Sequence, residues 1–526
     1  MSEDTTPSEA PRDVDAPRPD TSLWTAFRSD RGLAVVTFVL AAFTLAPLFA
    51  TPFLPLHDLP GNVALAALMD DAARAGTVAA EHYELQKLPL PYTAFYVLVW
   101  LCTSAFGVMW GTKTAVGLVI VLLPLGLMKL CLVLERDPRL GLAGFGLAWG
   151  HNTIWGFMAY NMGLSLLPFA LAALADATSA KEALRRSGWT TLLALTHAQA
   201  FGLFGLFGLF LSGRRAPGRR VAIYAASVAP GILLLAPWVV LRLLDGGSRL
   251  QPNQKLVEWH SVQYHLDHAL GYSTISLPGA WAQWGGQLVF FGALLLPVVA
   301  VVRWRVTRRD PHFLPLAIVL ALALLLYFAT PMAIAWPIIQ WYIYPRFAVV
   351  VLMMALVLPA GAFRGAWAFA LVPALAGTVL YGVETTRRFA DFGQRARAFL
   401  PVLEAVGPEP RLLPLTLHDA DSAVGLDPFN QFHAYVVAEH GGYDPLLYDN
   451  ANMPMVHREA ATLPHPEWHS TRQTNVDRHV RHYDWVLVQG KGRDPLPAQP
   501  KPADVRLENI IESGRWRLYR VHVDGR

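Results

Sequence analysis

The run His57-Asp58-Leu59-Pro60-Gly61-Asn62 places an imidazole and a carboxylate directly after the first long apolar stretch, Leu33 to Ala50. That stretch is close to 20 residues without a charge, about the length of helix that crosses a bilayer. A carboxylate where such a helix leaves the membrane can take a proton from a hydroxyl at the interface, which makes Asp58 a candidate general base. A plainer reading stands beside it. Asp-Leu-Pro-Gly is turn chemistry, and Asp58 could cap an amphipathic helix over Asn62 to Ala75.

Other polar residues recur at the edges of apolar runs. Arg346, in Tyr342-Ile343-Tyr344-Pro345-Arg346-Phe347, is a cation at the mouth of a span, with a guanidinium geometry suited to a phosphate. Its alternative is a headgroup anchor. His151, Asn152 and Asn161 fall at one apex and His197 at another, where buried polar groups tend to mark functional cavities. Hairpin capping would also account for the first three, and His260, His265 and His268 could be simply solvated. No metal-ligand spacing is present: His465-Pro466-Glu467-Trp468-His469 carries a proline, and His479-Val480-Arg481-His482 is weak. No phosphate-binding glycine loop or Gly-x-Ser-x-Gly elbow occurs.

The elements that must position these residues are mostly spans. Hydrophobic residues are 54% of the chain and charged residues 16%, the balance of an integral membrane protein. Cys102 and Cys131 both sit in apolar runs, so no disulfide framework is expected, and a net charge of +4 makes no case for nucleic acid. Placing the basic connections inside sets the parity. These are Arg28/Arg31, Arg136/Arg139, Lys181/Arg185/Arg186, Arg214 to Arg220 and Arg303 to Arg309. Positions 1–31 then form a disordered cytoplasmic leader. Positions 32–390 form the transmembrane domain, with a first external loop over 56–91, a helical hairpin over Leu140 to Ala177, and a short or re-entrant hairpin over Trp189 to Leu211. Positions 391–526 form a small extracytoplasmic α/β domain, with strands expected at Arg411 to Leu417, Trp485 to Gln489 and Trp516 to Val523. About eleven crossings result, counting Tyr92 to Phe106 as in-plane or re-entrant. Of the 17 histidines, His312 alone faces the cytoplasm.

The order of these features resembles the GT-C superfamily of polyprenyl-phosphate-dependent membrane glycosyltransferases. An outward first span is followed by a first-loop acid, an amphipathic helix, Leu88-Pro89-Leu90-Pro91-Tyr92 and the Phe106-Gly107 step. The Gly156 to Gly163 apex, the Leu195-Thr196-His197 turn, Tyr344-Pro345-Arg346, Tyr483 to Val488 and Trp516 to Tyr519 look like uncharacterised bacterial members. The resemblance implies a protein of the bacterial inner membrane that transfers a hexosyl or pentosyl group with inversion. The donor would be a polyprenyl-phosphate sugar and the acceptor a glycan, lipid or protein, on the extracytoplasmic face. It makes Asp58 the base and Arg346, with Tyr344 beside it, the holder of the departing phosphate. His57, Glu84, His151, Asn152, Asn161 and His197 become candidates for orienting sugar hydroxyls, and Asp484 to Arg520 for meeting the acceptor. The first loop lacks an Asp-x-Asp pair, and the family's Lys-Pro-Pro-Leu-Tyr-Tyr run is reduced to Leu88 to Tyr92. A divalent cation is thus possible but not required. A lipid or polysaccharide transporter and a metal-dependent external hydrolase are the rival classes.

Overall fold

The computed structural model describes residues 21–87, 90–212, 217–244, 257–335, 340–417, 424–448, 453–467, 471–490, 492 and 494–525. Most of the expected leader lies outside these residues. Its end is not disordered: Leu23–Ser29 is a helix capped by Ser22, and Asp30 caps the first spanning helix, Arg31–Phe49, by accepting from Leu33 N at 3.0 Å.

Six helices among the described residues are long and apolar enough to cross a membrane, against about eleven crossings read from sequence. They are Arg31–Phe49, Thr93–Val133, Met158–Asp176, Pro217–Leu244, Ala280–Val302 and Gly365–Ala405, joined by the shorter apolar helices Ala198–Leu211, Phe313–Ala329 and Tyr344–Val357. Phe38, Leu233 and Val302 lie open on their surfaces, as side chains solvated by lipid do. Exposed Trp281 and Trp284 mark one end of Ala280–Val302 and exposed Trp304 follows the other. Twenty residues of helix span about 30 Å, so these rings are spaced as the two interfaces of a bilayer are.

Two segments depart from simple spans. Thr93–Val133 is broken at Gly107, with φ 74° and ψ 166°. A Cβ on Gly111 would lie 2.5 Å from the backbone of Cys102 and Thr103, so the chain doubles back there. The arm before the break bonds the first external loop, Tyr96 Oη to Asn62 Oδ1 at 2.6 Å and Trp100 Nε1 to Asp70 Oδ2 at 2.9 Å. The arm after it packs Gly117 on Leu45 and Leu48, at the far end of the first span. The first arm of the expected hairpin over 140–177 is a 3-10 helix, Pro138–Leu147, rather than an α-helix. Three residues per turn put Gly141 and Gly144 on one face. That face sits against Met128 and against Leu127 and Pro124, closer than any side chain would permit. The hairpin over 189–211 does form, as Gly188–Thr196 and Ala198–Leu211 with His197 extended between them.

The polar tail folds into a four-stranded sheet in the order Leu412–Thr416, Trp485–Gln489, Trp516–Val523, Val505–Ser513, its first pair parallel and the others antiparallel. Helix Val372–Ala396 runs unbroken through position 391, and strand Tyr83–Leu85 of the first loop pairs antiparallel with Met455–His457 of the tail. Loop and tail are thus one packed body. Replacing Gly141 by Val forces a branched side chain into the Met128 backbone. We expect a loss of about 1–3 kcal/mol or more, seen as a lower apparent melting temperature of the detergent-solubilised protein.

Candidate functional site

Asp58 stands at the N-cap position of helix Leu59–Ala67, yet its carboxylate makes no capping bond. The capping account therefore fails for the side chain. Backbone pairing fixes the loop instead: His57 N donates to Ile154 O and Asp58 N to Trp155 O, each at 3.0 Å. Gly156 makes this possible. It has φ 83°, and a Cβ there would lie 2.7 Å from Asp58 N. Asn62 Nδ2 closes the turn onto Asp58 O at 2.9 Å.

The free carboxylate is met by the tail. Gln431 Nε2 donates to Asp58 Oδ1 at 3.1 Å, and Gly61 leaves room for it, since a Cβ there would lie 2.2 Å from Gln431 Oε1. His57 Nδ1 lies 2.9 Å from the Asp427 carbonyl, so Nδ1 carries the proton. Its Nε2 faces Asp58 Oδ1 at 4.0 Å. The Asp58 side chain keeps 35% of its surface open. Loss of bulk water still lifts its carboxyl above the ordinary 3.8, against the pull of His57, Arg346 and the Gln431 bond.

A second cluster lies within reach of the Asp58 charge. Arg346 ends the turn Tyr344–Arg346 and lays its guanidinium over Phe157, 4.4 Å from the ring centre, and over Tyr160, 5.5 Å away. It forms no ion pair among the described residues, and its buried Nε has no hydrogen-bond partner there. Arg346 Nη1 is 3.5 Å from His197 Nε2. His197 Nδ1 accepts the backbone N–H of Gln199 at 3.2 Å, so the neutral ring must carry its proton on Nε2. Two donors then face one another with no acceptor between them. Such a pair calls for an anion. Tyr92 closes the cluster. It holds φ 84°, donates its N–H to Thr196 O at 3.1 Å, and sets its ring edge-on to His197 at 4.9 Å. A non-glycine residue at such an angle costs free energy that its surroundings must offset, which is common in functional sites. Tyr342, with φ 56° and its ring 4.6 Å from that of Trp155, is a second case.

His151 and Asn152 form the apex turn between the two clusters. His151 packs among Trp155, Phe157, Tyr272 and Tyr342, and neither its Nε2 nor Asn152 Oδ1 has a partner among the described residues. Asn161 Nδ2 donates to Thr153 Oγ1 at 3.1 Å and shares with His151 and Asn152 the lining of an inner cavity.

Two expected residues lie elsewhere. Glu84 sits on strand Tyr83–Leu85 with a half-exposed side chain, 3.6 Å from Arg458 Nη1. Tyr344 points away from the Arg346 guanidinium into a buried cluster, its Oη 2.8 Å from His260 Nδ1 and its ring 3.9 Å from that of His265. His265 is thus buried rather than solvated. From the tail, the segment 427–431 reaches Asp58, whereas Trp485–Gln489 and Trp516–Val523 are sheet strands. Gln431 and Asp427 carry no sequence signal that ties them to a loop some 370 residues away. Among the described residues no group of three or more His, Cys, Asp or Glu is placed to hold a metal ion. The Arg346 guanidinium acts on Asp58, and a positive charge so near is a poor fit to a divalent cation.

No protein-family model matches the chain, and no curated protein matches it in sequence. Solved structures do match in shape. ArnT from Cupriavidus metallidurans, bound to undecaprenyl phosphate, superposes with a TM-score of 0.52 at 12% identity, over 95% of this chain and 99% of that one. The arabinofuranosyltransferase AftD from Mycobacteria gives 0.50 at 14% identity, over 94% of this chain and 40% of that one. This chain is an integral membrane protein by its long apolar helices, and it shares its fold with these solved structures.

Proposed function

We propose that the protein transfers a sugar from a polyprenyl-phosphate donor to an acceptor hydroxyl on the extracytoplasmic face of a bacterial inner membrane, with inversion. The observation that carries this reading is the pairing of an uncapped carboxylate, Asp58, with an anion pocket of two unmatched donors, Arg346 and His197. Asp58 takes the proton of the acceptor hydroxyl as that oxygen forms its bond to the anomeric carbon. The bond from that carbon to the phosphate oxygen breaks on the opposite face. The electron pair leaves with the polyprenyl phosphate, whose charge Arg346 and the His197 Nε2–H receive. His57, with its Nε2 lone pair open, can accept a hydrogen bond from a neighbouring hydroxyl of the acceptor. The bound undecaprenyl phosphate of the ArnT structure supports a lipid of this class as the donor's carrier.

Among the described residues no convergent ligand set favours the hydrolase reading. A transporter would have no use for a glutamine that reaches from the tail to hold one carboxylate oxygen.

Asp58→Asn keeps the Gln431 contact but cannot accept a proton. We expect release of lipid phosphate from a panel of polyprenyl-phosphate sugars to fall by about 10²–10⁴-fold, with the melting temperature unchanged. Full activity in this variant would sink the proposal. Gln431→Leu removes a hydrogen bond that favours ionised Asp58, so the carboxyl rises further. A base must be ionised to work. The acidic limb of the kcat/KM profile should therefore move to higher pH than in the wild type. Inorganic phosphate should stabilise the wild type by about 1.4 kcal/mol at ten times its Kd, read as a higher melting temperature, and should not stabilise Arg346→Gln.

A further inference from the structure

The aromatic apex has a second face. A groove of about 200 Å³ opens between His151 and Trp155 of the apex, His268 and Tyr272 of helix Val262–Ser273, and Gly425 and Leu426 of the tail. It borders the Asp58 loop on two sides. Trp155 holds its ring 5.2 Å from that of His57, and Leu426 precedes the Asp427 carbonyl that His57 bonds. The Arg346 pocket lies beyond the Phe157 ring that stacks on Trp155 at 5.9 Å. Asp58 thus has an anion pocket on one flank and this groove on the other.

Its chemistry is selective. Among the described residues no lysine, arginine, aspartate or glutamate lines it, so neither a phosphate nor an ammonium group finds a partner there. Burial pushes His151 down to about 3, which keeps that ring neutral. His268 spends its Nδ1–H on Tyr264 O at 2.8 Å and keeps an acceptor nitrogen at Nε2. Aromatic faces beside neutral hydrogen-bonding groups match a sugar ring, whose C–H face packs on the π surface while its hydroxyls bond at the edge. An acyl chain would leave the hydrogen-bonding groups unused.

We infer that this groove binds the acceptor and that the acceptor is an uncharged glycan, with one ring against Trp155 and a hydroxyl turned to Asp58. The inference takes its role from the proposed sugar transfer, but its ligand can be tested without turnover. The full-length protein in lipid nanodiscs is titrated with neutral oligosaccharides, a phosphorylated glycan and a serine-containing peptide, following tryptophan fluorescence. Saturable binding of a neutral oligosaccharide is expected, weakened about tenfold or more in both His268→Ala and Leu426→Trp. Melting curves confirm that each variant is folded. Should one fail to fold, the other alone decides. Absence of saturable binding by any neutral saccharide, tighter binding of the phosphorylated glycan or peptide, or indifference to both substitutions overturns the inference. Release of lipid phosphate by the wild type, measured separately, tells a failed transferase reading from a failed groove.

Discussion

The site depends on a short backbone register, His57 N to Ile154 O and Asp58 N to Trp155 O, closed over a glycine that has no Cβ to interfere. These two bonds join the first external loop to the apex of another hairpin. They direct the first two N–H groups of the loop inward and leave the Asp58 carboxylate free of the helix it precedes. A carboxylate that caps its own helix spends its lone pairs on backbone donors. This one spends part of a single oxygen on Gln431.

The second requirement is that Asp58 and Arg346 remain apart. Opposite charges in a partly desolvated site attract strongly, and a direct ion pair would neutralise both. Each is held by a partner that does not quench it: a neutral amide for the carboxylate, and the faces of Phe157 and Tyr160 for the guanidinium. The strained backbone of Tyr92 belongs to the same arrangement, since that turn sets a phenol ring rather than a charge against His197. Under the proposed reaction, this separation leaves room for a sugar between the base and the phosphate.

Much of this was legible in the chain. Long uncharged runs announce spans because a bilayer accepts little else, and polar residues at their edges stand out against that background. Asp58, His57, Arg346, His197, His151 and Asn152 were found this way, and the structure gathers them around the apex. The misses have physical causes. Glu84 reads as a loop acid until strand pairing places it beside Arg458. Tyr344 and Arg346 are two residues apart in a 3-10 turn, which sends their side chains to different neighbours. Strand Val505–Ser513 hides its period behind an exposed polar face and a register shift at Asn509/Ile511. The doubling back at Gly107 depends on a single φ angle inside a mostly apolar segment of 41 residues. Gln431 was beyond reach, because its meaning lies in a contact with a loop 373 positions away.

That last contact shows why the tail cannot be treated as an appendage. Strand Met455–His457 pairs with the first loop, Asp427 orients the His57 ring, and Gln431 orients the carboxylate. Gly425 and Leu426, immediately before, form one wall of the groove. Four residues of the 425–431 segment thus set both the carboxylate's surroundings and the surface beside it. A shift of this segment would change the tautomer and angle of His57, the ionisation of Asp58 and the width of the groove together. On the proposed reading, acceptor binding against Leu426 and proton transfer at Asp58 are coupled through fewer than ten residues of chain.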